Sequence, residues 1–273
     1  MAGKIVFIGG GNMGRALLGG LIADGTAAGR LTAAEPDAAK RQALAEEFGV
    51  LTASHGGDLV ADASVVVLAV KPQVLKSTAQ SLAGHFGAAR PLIVSIVAGI
   101  TEADIDAWLG GGFPVVRCMP NTPALVRQGI SALHANPHVS AAQREQADHI
   151  LRAVGAVLWV PDEAQLDAVT ALSGSGPAYF FAVMEAMEQA GVALGLSAEV
   201  ARRLTLQTAL GSAVLATQSG DAPATLRAQV TSPGGTTQAA LEVLQAGGLA
   251  RLFNEAIGAA NRRAGELAQQ AQD

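Results

Sequence analysis

The chain has 273 residues, with few charged residues, one cysteine and no long hydrophobic run. Each of these features excludes a class of protein. Charged residues make up only 15% of it, and the net charge is −5. That balance excludes the basic surface on which nucleic-acid binding depends, so we expect no nucleic-acid partner. The one cysteine, Cys118, cannot form a disulfide within the chain or a cysteine metal cluster. We expect it to be a buried structural thiol, and we expect no metal site.

Long hydrophobic runs are also absent. The most apolar stretch of the second half, Pro177 to Leu196, contains Glu185 and Glu188, which are costly inside a bilayer. The start of the sequence has no secretory signal pattern, because an apolar strand begins at Lys4. We therefore expect a cytoplasmic protein with no membrane partner, and its length favours two domains.

The first half of the chain alternates β-strand and α-helix signals. Such alternation is typical of a parallel, doubly wound sheet with right-handed crossovers. The predicted strands are Lys4–Ile8, Leu31–Glu35, Val65–Val70, Leu92–Ala98, Val115–Met119, Gly129–Ala135 and Val157–Val160. The predicted helices are Met13–Asp24, Pro36–Phe48, Thr101–Leu109 and Ser140–Ala153. The sequence thus predicts the α/β class, with an N-terminal Rossmann domain over residues 1–161.

The strand signals stop after Val160, and residues 162–273 predict an all-helical domain. Its helices at Pro177–Leu194 and Ser197–Thr217 are apolar on much of their circumference. Helices of that kind have to be buried, and a domain of this size cannot bury them alone. We therefore predict a homodimer formed through this second domain, which would also bind the substrate.

A glycine motif directly follows the first strand. Gly9, Gly11 and Gly14 have the G-x-G-x-x-G spacing, and a predicted helix begins beside them. In dinucleotide-binding domains the first glycine permits the tight turn and the second lets the pyrophosphate approach. The third lets the helix pack against the strand. A simple glycine-rich turn is the alternative, but the strand before and the helix after favour a nicotinamide dinucleotide.

Glu35 ends the second predicted strand, at the distance from the glycines where an acid accepts hydrogen bonds from the ribose 2′-hydroxyl of NADH. The same carboxylate repels the 2′-phosphate of NADPH. Lys40 and Arg41 are close in sequence and favour the phosphate, so the expected cofactor is NADPH or NADH. The alternative is that Glu35 is a solvated acid at a strand end.

Two later loops follow predicted strands, at the edge where ligands bind in open α/β sheets. The first is at the carboxyl end of the predicted strand Val65–Val70 and consists of Ala69, Val70, Lys71 and Pro72. Lys71 is expected to reach the ribose or a phosphate, unless its side chain only extends to solvent. The second loop contains Asn121, whose side chain is expected to face the nicotinamide.

The predicted helical domain contains no lysine and no histidine. Dehydrogenases that act on hydroxy acids need such a base to take the alcohol proton, whereas reduction of a C=N bond needs only a hydroxyl donor and an oriented substrate. The segment Thr231–Thr237 is rich in hydroxyls and glycine and precedes a helix. It is interpreted either as a site for a small carboxylate or as an ordinary helix-capping loop.

Five segments together make the chain similar to the pyrroline-5-carboxylate reductase family over almost its whole length. They are Ile8–Gly14, Ala69–Pro72, Arg117–Pro123, Ser173–Tyr179 and Val230–Thr237. The resemblance implies reduction of L-1-pyrroline-5-carboxylate to L-proline with NADPH or NADH, a step of proline biosynthesis. It also implies that the helical domains interlock as homodimers, which in some members assemble into decamers.

The resemblance further implies roles for individual residues. Thr237 would be the catalytic residue, donating its hydroxyl proton. The substrate carboxylate and ring nitrogen would be held by Ser232, Gly234, Gly235, Thr236 and Thr237. The cofactor would be surrounded by Ile8, Gly9, Gly11, Asn12, Met13, Ala69, Val70, Lys71, Pro72, Ile96, Val97 and Ala98.

Two positions depart from the family pattern. His55 stands where the family often has an asparagine at the cofactor ribose, and Asp221 stands one residue from a frequent glutamate ahead of the substrate loop. We assign His55 to the cofactor site and Asp221 to the substrate site, with the alternative that these contacts are absent.

Two other functions are compatible with the same motifs. One is a related imine or β-hydroxyacid dehydrogenase, which the missing lysine disfavours. The other is a non-catalytic NAD(P)-binding protein, which would need the glycine motif but not the Thr231–Thr237 segment.

Overall fold

The computed structural model of the chain describes residues 3–87 and 90–270. Its strands are β1 (Lys4–Ile8), β2 (Leu31–Ala34), β3 (Leu51–Ala53), β4 (Ala63–Leu68), β5 (Leu92–Ser95), β6 (Val115–Met119), β7 (Gly129–Ala135) and β8 (Gly155–Trp159). Its helices are α1 (Asn12–Ala23), α2 (Ala38–Phe48), α3 (Gly57–Val60), α4 (Pro72–Leu82), α5 (Glu102–Trp108), α6 (Ala141–Arg152), α7 (Gln165–Val169), α8 (Gly176–Ala193), α9 (Ala198–Ser219), α10 (Pro223–Gln229), α11 (Thr236–Ala246) and α12 (Leu249–Gln270). Short 3-10 helices occupy Ala28–Arg30, Ala83–His85 and Thr122–Val126, and a π-helical turn occupies Thr170–Gly174.

The described strands form one sheet in the order β3-β2-β1-β4-β5-β6-β7-β8. Neighbouring strands from β3 to β6 in this order run parallel. That part has the 3-2-1-4-5-6 order of a Rossmann fold. β7 is antiparallel to β6, and β8 is parallel to β7. The predicted fold class is confirmed.

The side chains of the central strand β1 are buried on both faces of the sheet. Ile5 and Phe7 belong to one buried cluster, which includes Leu17 of α1. Val6 and Ile8 belong to a second cluster on the opposite face. Because successive residues of a strand point to opposite faces, only an uninterrupted apolar run can serve both clusters. Burial of that surface stabilises the fold by roughly 25 cal/mol per Å² of apolar area.

Cys118 of β6 lies in the first of these clusters and is 1% exposed. Burial raises the pKa of its thiol well above the ordinary value, and the nearby charge of Glu102 adds to the effect. The thiolate is therefore not formed near neutral pH. The prediction of a buried structural thiol is confirmed.

Several predicted boundaries were wrong by two or three residues. Helix α2 begins at Ala38 instead of Pro36, because the Asp37 carboxylate accepts backbone hydrogen bonds in the first turn and caps the helix. Strands β4 and β5 end at Leu68 and Ser95. The residues that follow them, including Val70 and Ala98, lie in loops.

Helix α4 and several short elements, among them β3 and α3, were not predicted. β3 has only three residues, which is too short for an alternating pattern to be recognised. Helix α4 begins at Pro72, which was predicted only as part of a loop. Proline is favoured at the first position of a helix, so the same residue marks the start of α4.

The chain divides into two compact units. The first, Met1–Ser175 with Ala260–Asp273, contains the sheet and the last turns of α12. There the backbone nitrogen of Ala268 lies 3.4 Å from the Cβ position of Gly99, so α12 packs closely on the loop after β5. The second unit, Gly176–Ala259, contains only helices in the part that the structure describes.

The second unit leaves large apolar side chains exposed. Phe180, Phe181 and Leu194 are 69%, 63% and 87% exposed, and Leu204 and Leu210 of α9 are more than half exposed. Exposed apolar surface on this scale is typical of a protein interface.

Within residues 3–87 and 90–270, no helix combines the length and the apolar character needed to cross a membrane.

A largely buried ionic network joins the sheet to the segment after β8. Arg117 of β6 is 6% exposed; its Nη1 lies 3.1 Å from Glu163 Oε1 and its Nη2 lies 3.7 Å from Asp167 Oδ1. Glu163 also accepts the backbone N–H of Glu102 at 2.9 Å. The Glu102 carboxylate lies 2.9 Å from His134 Nδ1. Removing one member of a buried ion pair costs about 3–5 kcal/mol, so the network fixes α7 to the sheet.

We predict that Glu102 makes the fold less stable as the pH rises. Burial, followed by the charge of Glu163, raises the pKa of Glu102 above its ordinary value of 4.5. The folded chain therefore binds this proton more tightly than the unfolded chain. The resulting stabilisation is complete below the ordinary pKa and is lost as the pH passes the raised one.

Glu102→Gln removes this titration. The free energy of unfolding of Glu102→Gln, measured with urea, should increase relative to that of the wild type as the pH is raised from about 4 to about 7. The exposed Glu46→Gln variant serves as the control and should show no such trend. A relative stability of Glu102→Gln that is constant or declines over this range would contradict the prediction.

Candidate functional site

The glycine loop, Gly9–Gly14, turns the chain from β1 into α1. Gly9 has a φ of +106°, and a Cβ there would lie 2.6 Å from the carbonyl oxygen of Ala69. A Cβ on Gly14 would lie 2.6 Å from the Gly9 carbonyl oxygen. Both contacts are too short for any side chain, so the loop can lie against the loop after β4 only with glycine at these positions.

Gly11 has a different environment. No heavy atom lies within 4 Å of its Cβ position, and the residue is exposed. It is the N-cap of α1, and no side chain caps this helix. The N–H groups of the first turn are therefore available at the positive end of the helix dipole. This arrangement fits the pyrophosphate of a dinucleotide.

A cavity of about 390 Å³ opens beside the glycine loop. It lies at the carboxyl ends of β1, β2 and β4, where open α/β sheets bind the adenosine half of a dinucleotide. Four residues predicted for the cofactor site, Ile8, Gly9, His55 and Val70, are among its lining.

The cavity also contains polar residues that sequence reasoning missed. They are Ser54, Asp58, Thr78, Ser81 and His85. These residues lie after β3, in or beside α3, and on α4 and the turn that follows it. Because β3 and α4 were not predicted, no sequence pattern placed these residues at the site.

Glu35 lies at the end of β2 and is 8% exposed. Its Oε2 accepts the backbone N–H of Gly10 at 2.8 Å, and its Oε1 accepts the backbone N–H of Asp37 at 3.0 Å. Arg41 Nη1 donates to the Glu35 carbonyl at 2.8 Å. Both carboxylate oxygens are thus hydrogen bonded to the main chain of the domain.

The other predicted cofactor loops lie at the same edge of the sheet. Lys71 is exposed and is the N-cap residue of α4, which no side chain caps. After β5, the N–H of Ile96 donates to the Leu68 carbonyl at 3.1 Å, and the N–H of Val97 donates to Ser95 Oγ at 3.3 Å. These bonds hold the loop after β5 beside the loop after β4.

Asn121 is fixed by the protein at both ends of its side-chain amide. Its Nδ2 donates to the Ser173 carbonyl at 3.2 Å, and its Oδ1 accepts the N–H of Ile130 at 2.9 Å. The side chain therefore connects the turn after β6 to β7 and to the π-helical turn. Its predicted contact with the nicotinamide stays a prediction.

In the helical unit, the predicted substrate loop lies immediately before α11. Gly234 has a φ of +70°, and its N–H donates to Gln238 Oε1 at 2.8 Å. Gly235 is the N-cap of α11 and provides no side chain to cap it. The first N–H groups of α11 are therefore available to an anion, as they are at α1.

Thr236 and Thr237 are the first two residues of α11. Within the described part of the chain, their hydroxyl groups form no hydrogen bond with protein, unlike that of Thr231, which donates to the Arg227 carbonyl at 2.6 Å. Asp221, ahead of α10, accepts a hydrogen bond from Gln229 at 3.4 Å. The loop thus combines backbone N–H groups with two available hydroxyls.

Comparisons with known proteins agree with both parts of this geometry. The sequence model for pyrroline-5-carboxylate reductase dimerisation matches residues 163–267. The model for coenzyme F420-dependent NADP oxidoreductases matches residues 4–99. A protein named pyrroline-5-carboxylate reductase from Pseudomonas aeruginosa is 56% identical over 269 residues, which is 98% of this chain and 97% of the relative. The chain belongs to the pyrroline-5-carboxylate reductase family.

Solved structures of the family extend this result to three dimensions. The pyrroline-5-carboxylate reductase of Coxiella burnetii is 43% identical, with a TM-score of 0.94 over 98% of this chain and 99% of that one. The Plasmodium falciparum pyrroline carboxylate reductase, solved with NADP bound, is 27% identical, with a TM-score of 0.85 over 97% and 98% of the two chains. The predicted class of NAD(P)H-dependent oxidoreductase and the predicted cofactor are confirmed.

We predict that alanine at two glycines of this family's dinucleotide motif affects two different properties, stability at one position and NADPH binding at the other. Gly9→Ala places a Cβ against the Ala69 carbonyl at positive φ, so it should lower the thermal midpoint of the cofactor-free protein. Gly11→Ala meets no neighbouring atom and should leave that midpoint unchanged. It should weaken NADPH binding, because its methyl group occupies the space expected for the pyrophosphate.

Thermal unfolding without nucleotide and fluorescence titration with NADPH separate the two effects. Equal loss of stability in both variants would show that the space around Gly11 is not open.

Proposed function

We propose that this chain reduces L-1-pyrroline-5-carboxylate to L-proline with NADPH or NADH. The observation that carries the proposal is the loop before α11. It has uncapped helix N–H groups and the hydroxyls of Thr236 and Thr237, in a chain 56% identical to a protein named pyrroline-5-carboxylate reductase. A small cyclic imine with one carboxylate needs such a site: donors for the carboxylate and a hydroxyl for the ring nitrogen.

The proposed chemistry divides between the two ends of the substrate. The reduced nicotinamide, when bound, supplies the hydride that adds to the imine carbon. The Thr237 hydroxyl donates a hydrogen bond, and the proton, to the ring nitrogen and regains a proton from water, so that the C=N bond becomes a secondary amine. The carboxylate is held by the loop, through Ser232, Gly234, Gly235 and Thr236, and Asp221 orients the same loop.

The proposed cofactor contacts follow the sequence-based assignment except at Glu35, whose carboxylate accepts hydrogen bonds from the main chain. They are Ile8, Gly9, Gly11, Asn12, Met13, Gly14, His55, Ala69, Val70, Lys71, Pro72, Ile96, Val97, Ala98 and Asn121. Support comes from the uncapped N-terminus of α1 and from the cavity that includes His55.

Three reactions test the proposal: reduced nicotinamide with pyrroline-5-carboxylate, with a β-keto acid, and with neither. Loss of nicotinamide absorbance only in the first supports it. Turnover of the β-keto acid alone would favour the β-hydroxyacid dehydrogenase alternative. Nucleotide binding without turnover would favour a non-catalytic NAD(P)-binding protein.

We predict that Thr237→Ala lowers kcat by about 10²-fold, as expected for loss of a general acid. Cofactor affinity should stay the same, because the change lies outside the dinucleotide site. Thr237→Ser retains the hydroxyl and should keep most of the rate, whereas Thr236→Ala should act mainly on KM.

Steady-state kinetics over a range of pH is the measurement. At low pH more of the imine is already protonated, so the defect of Thr237→Ala should shrink there. A Thr237→Ala enzyme with wild-type kcat at every pH would remove Thr237 from the proposed mechanism.

We further propose that residues 162–273 form the dimerisation domain and that the protein works as a cytoplasmic homodimer, with a decamer as the higher assembly. The exposed apolar side chains of α8 and α9, including Phe181 and Leu210, support an extensive interface.

Light scattering should give at least twice the mass of one chain. Replacing Leu210 by Asp should produce a smaller, less stable species. A folded, active monomer at micromolar concentration would contradict this prediction.

A further inference from the structure

We propose that Glu35 positions the glycine loop and takes no part in distinguishing NADPH from NADH by direct contact. The inference rests on the proposed cofactor site and concerns how one residue of this chain acts there. An acid at the end of the second strand is ordinarily expected to accept hydrogen bonds from the ribose. The contacts of Glu35 indicate another role.

The first argument is that both carboxylate oxygens of Glu35 accept hydrogen bonds from the main chain. Oε2 accepts the N–H of Gly10 at 2.8 Å, and Oε1 accepts the N–H of Asp37 at 3.0 Å. Gly10 is the middle residue of the first three glycines, so this bond fixes the direction of a peptide plane in the loop. Asp37 caps α2, so the second bond fixes the turn that carries the carboxylate.

The second argument is the packing around Gly10. A Cβ on Gly10 would lie 2.5 Å from Leu44 Cδ1 and 3.2 Å from Glu35 Oε2. The loop backbone is therefore enclosed by the side chain of α2 and by the carboxylate. A charged acceptor in this place strengthens the hydrogen bond that it receives, because water has little access.

The third argument is that Glu35 does not line the cavity beside the glycine loop. Glu35 is 8% exposed, and among the described residues that line the 390 Å³ cavity it is absent, although its neighbours Ala34 and Pro36 are present. Arg41 donates to the carbonyl oxygens of Glu35 and Pro36 and holds the turn from outside. The side chain is thus directed at the loop backbone, while the cavity is lined by other polar groups such as Ser54 and His55.

Two variants test the role. Glu35→Gln keeps the shape, but its NH₂ group must face one of the two N–H donors, so one bond is lost. Glu35→Asp keeps the charge but is one methylene shorter, so it cannot span both donors. Each should weaken the equilibrium binding of NADPH and of NADH by the same factor, roughly tenfold, because loss of a hydrogen bond to a charged group disturbs the loop that both nucleotides share.

The measurements are fluorescence titrations with NADPH and with NADH and amide hydrogen exchange at Gly10. Glu46→Gln, an exposed acid on α2 bonded only to Gln42 among the described residues, is the matched control. If Glu35 positions the glycine loop, both Glu35 variants should show faster amide exchange at Gly10 and an unchanged ratio of the NADPH and NADH dissociation constants. Their KM for the cofactor should rise while kcat stays constant. A ratio that moves toward NADPH in Glu35→Gln, or unchanged binding of both nucleotides, would overturn it.

If Glu35→Gln does not fold, Glu35→Asp decides alone, because direct recognition of the ribose predicts no equal loss for that variant. Failure of the wild-type chain to bind either nucleotide would instead refute the proposed function.

Discussion

The constraint on which both candidate sites depend is that the first N–H groups of a helix need partners. Side chains meet this need in α2, α6 and α9, where Asp37, Ser140 and Ser197 accept backbone hydrogen bonds. Helices α1, α4 and α11 have no side-chain cap, and each begins at a proposed ligand loop. The sequence distinguishes the two groups by placing acid or serine at one set of starts, and glycine or lysine at the other. Among the described helices, α3, α7 and α10 also lack a side-chain cap, so an uncapped start indicates an anion site only together with other features of the loop before it.

A second constraint is steric and acts within the Rossmann unit. The contact of Gly9 with the carbonyl of Ala69 sets the separation of the loops after β1 and β4. The contact of Gly14 with the Gly9 carbonyl then sets how closely α1 approaches β1. Since these distances leave no space for a methyl group, the path of the glycine loop is set by contacts with backbone atoms. Side chains that line the neighbouring cavity, such as His55, take no part in these contacts.

The parts of the fold that were predictable are those with a strong local signal. Strand β1, the glycine spacing and the helix predicted from Ser140 each depend on neighbours in sequence, and the structure has them as expected, with Ser140 as the N-cap of α6. Among the elements that were missed, β3 is too short for a periodic pattern to be recognised, and α4 begins at a proline, a residue that also occurs in loops. The partners of Glu35 were also beyond the sequence, because Gly10 lies 25 residues away and donates through its backbone. The sequence showed an acid at the end of the second strand, but it did not show which groups the carboxylate oxygens of Glu35 contact.

The last helix has a consequence for how the chain is made. Residues from Ala260 onward belong to the same compact unit as the sheet, and the backbone of Ala268 lies against Gly99. A ribosome releases the N-terminal segment first, and domains begin to fold as they emerge. Here the sheet can form early, but the loop after β5 gains its contact with α12 only after the intervening helical unit, Gly176–Ala259, has been synthesised. A chain cut short within α12 would therefore carry a sheet with one of its loops uncovered.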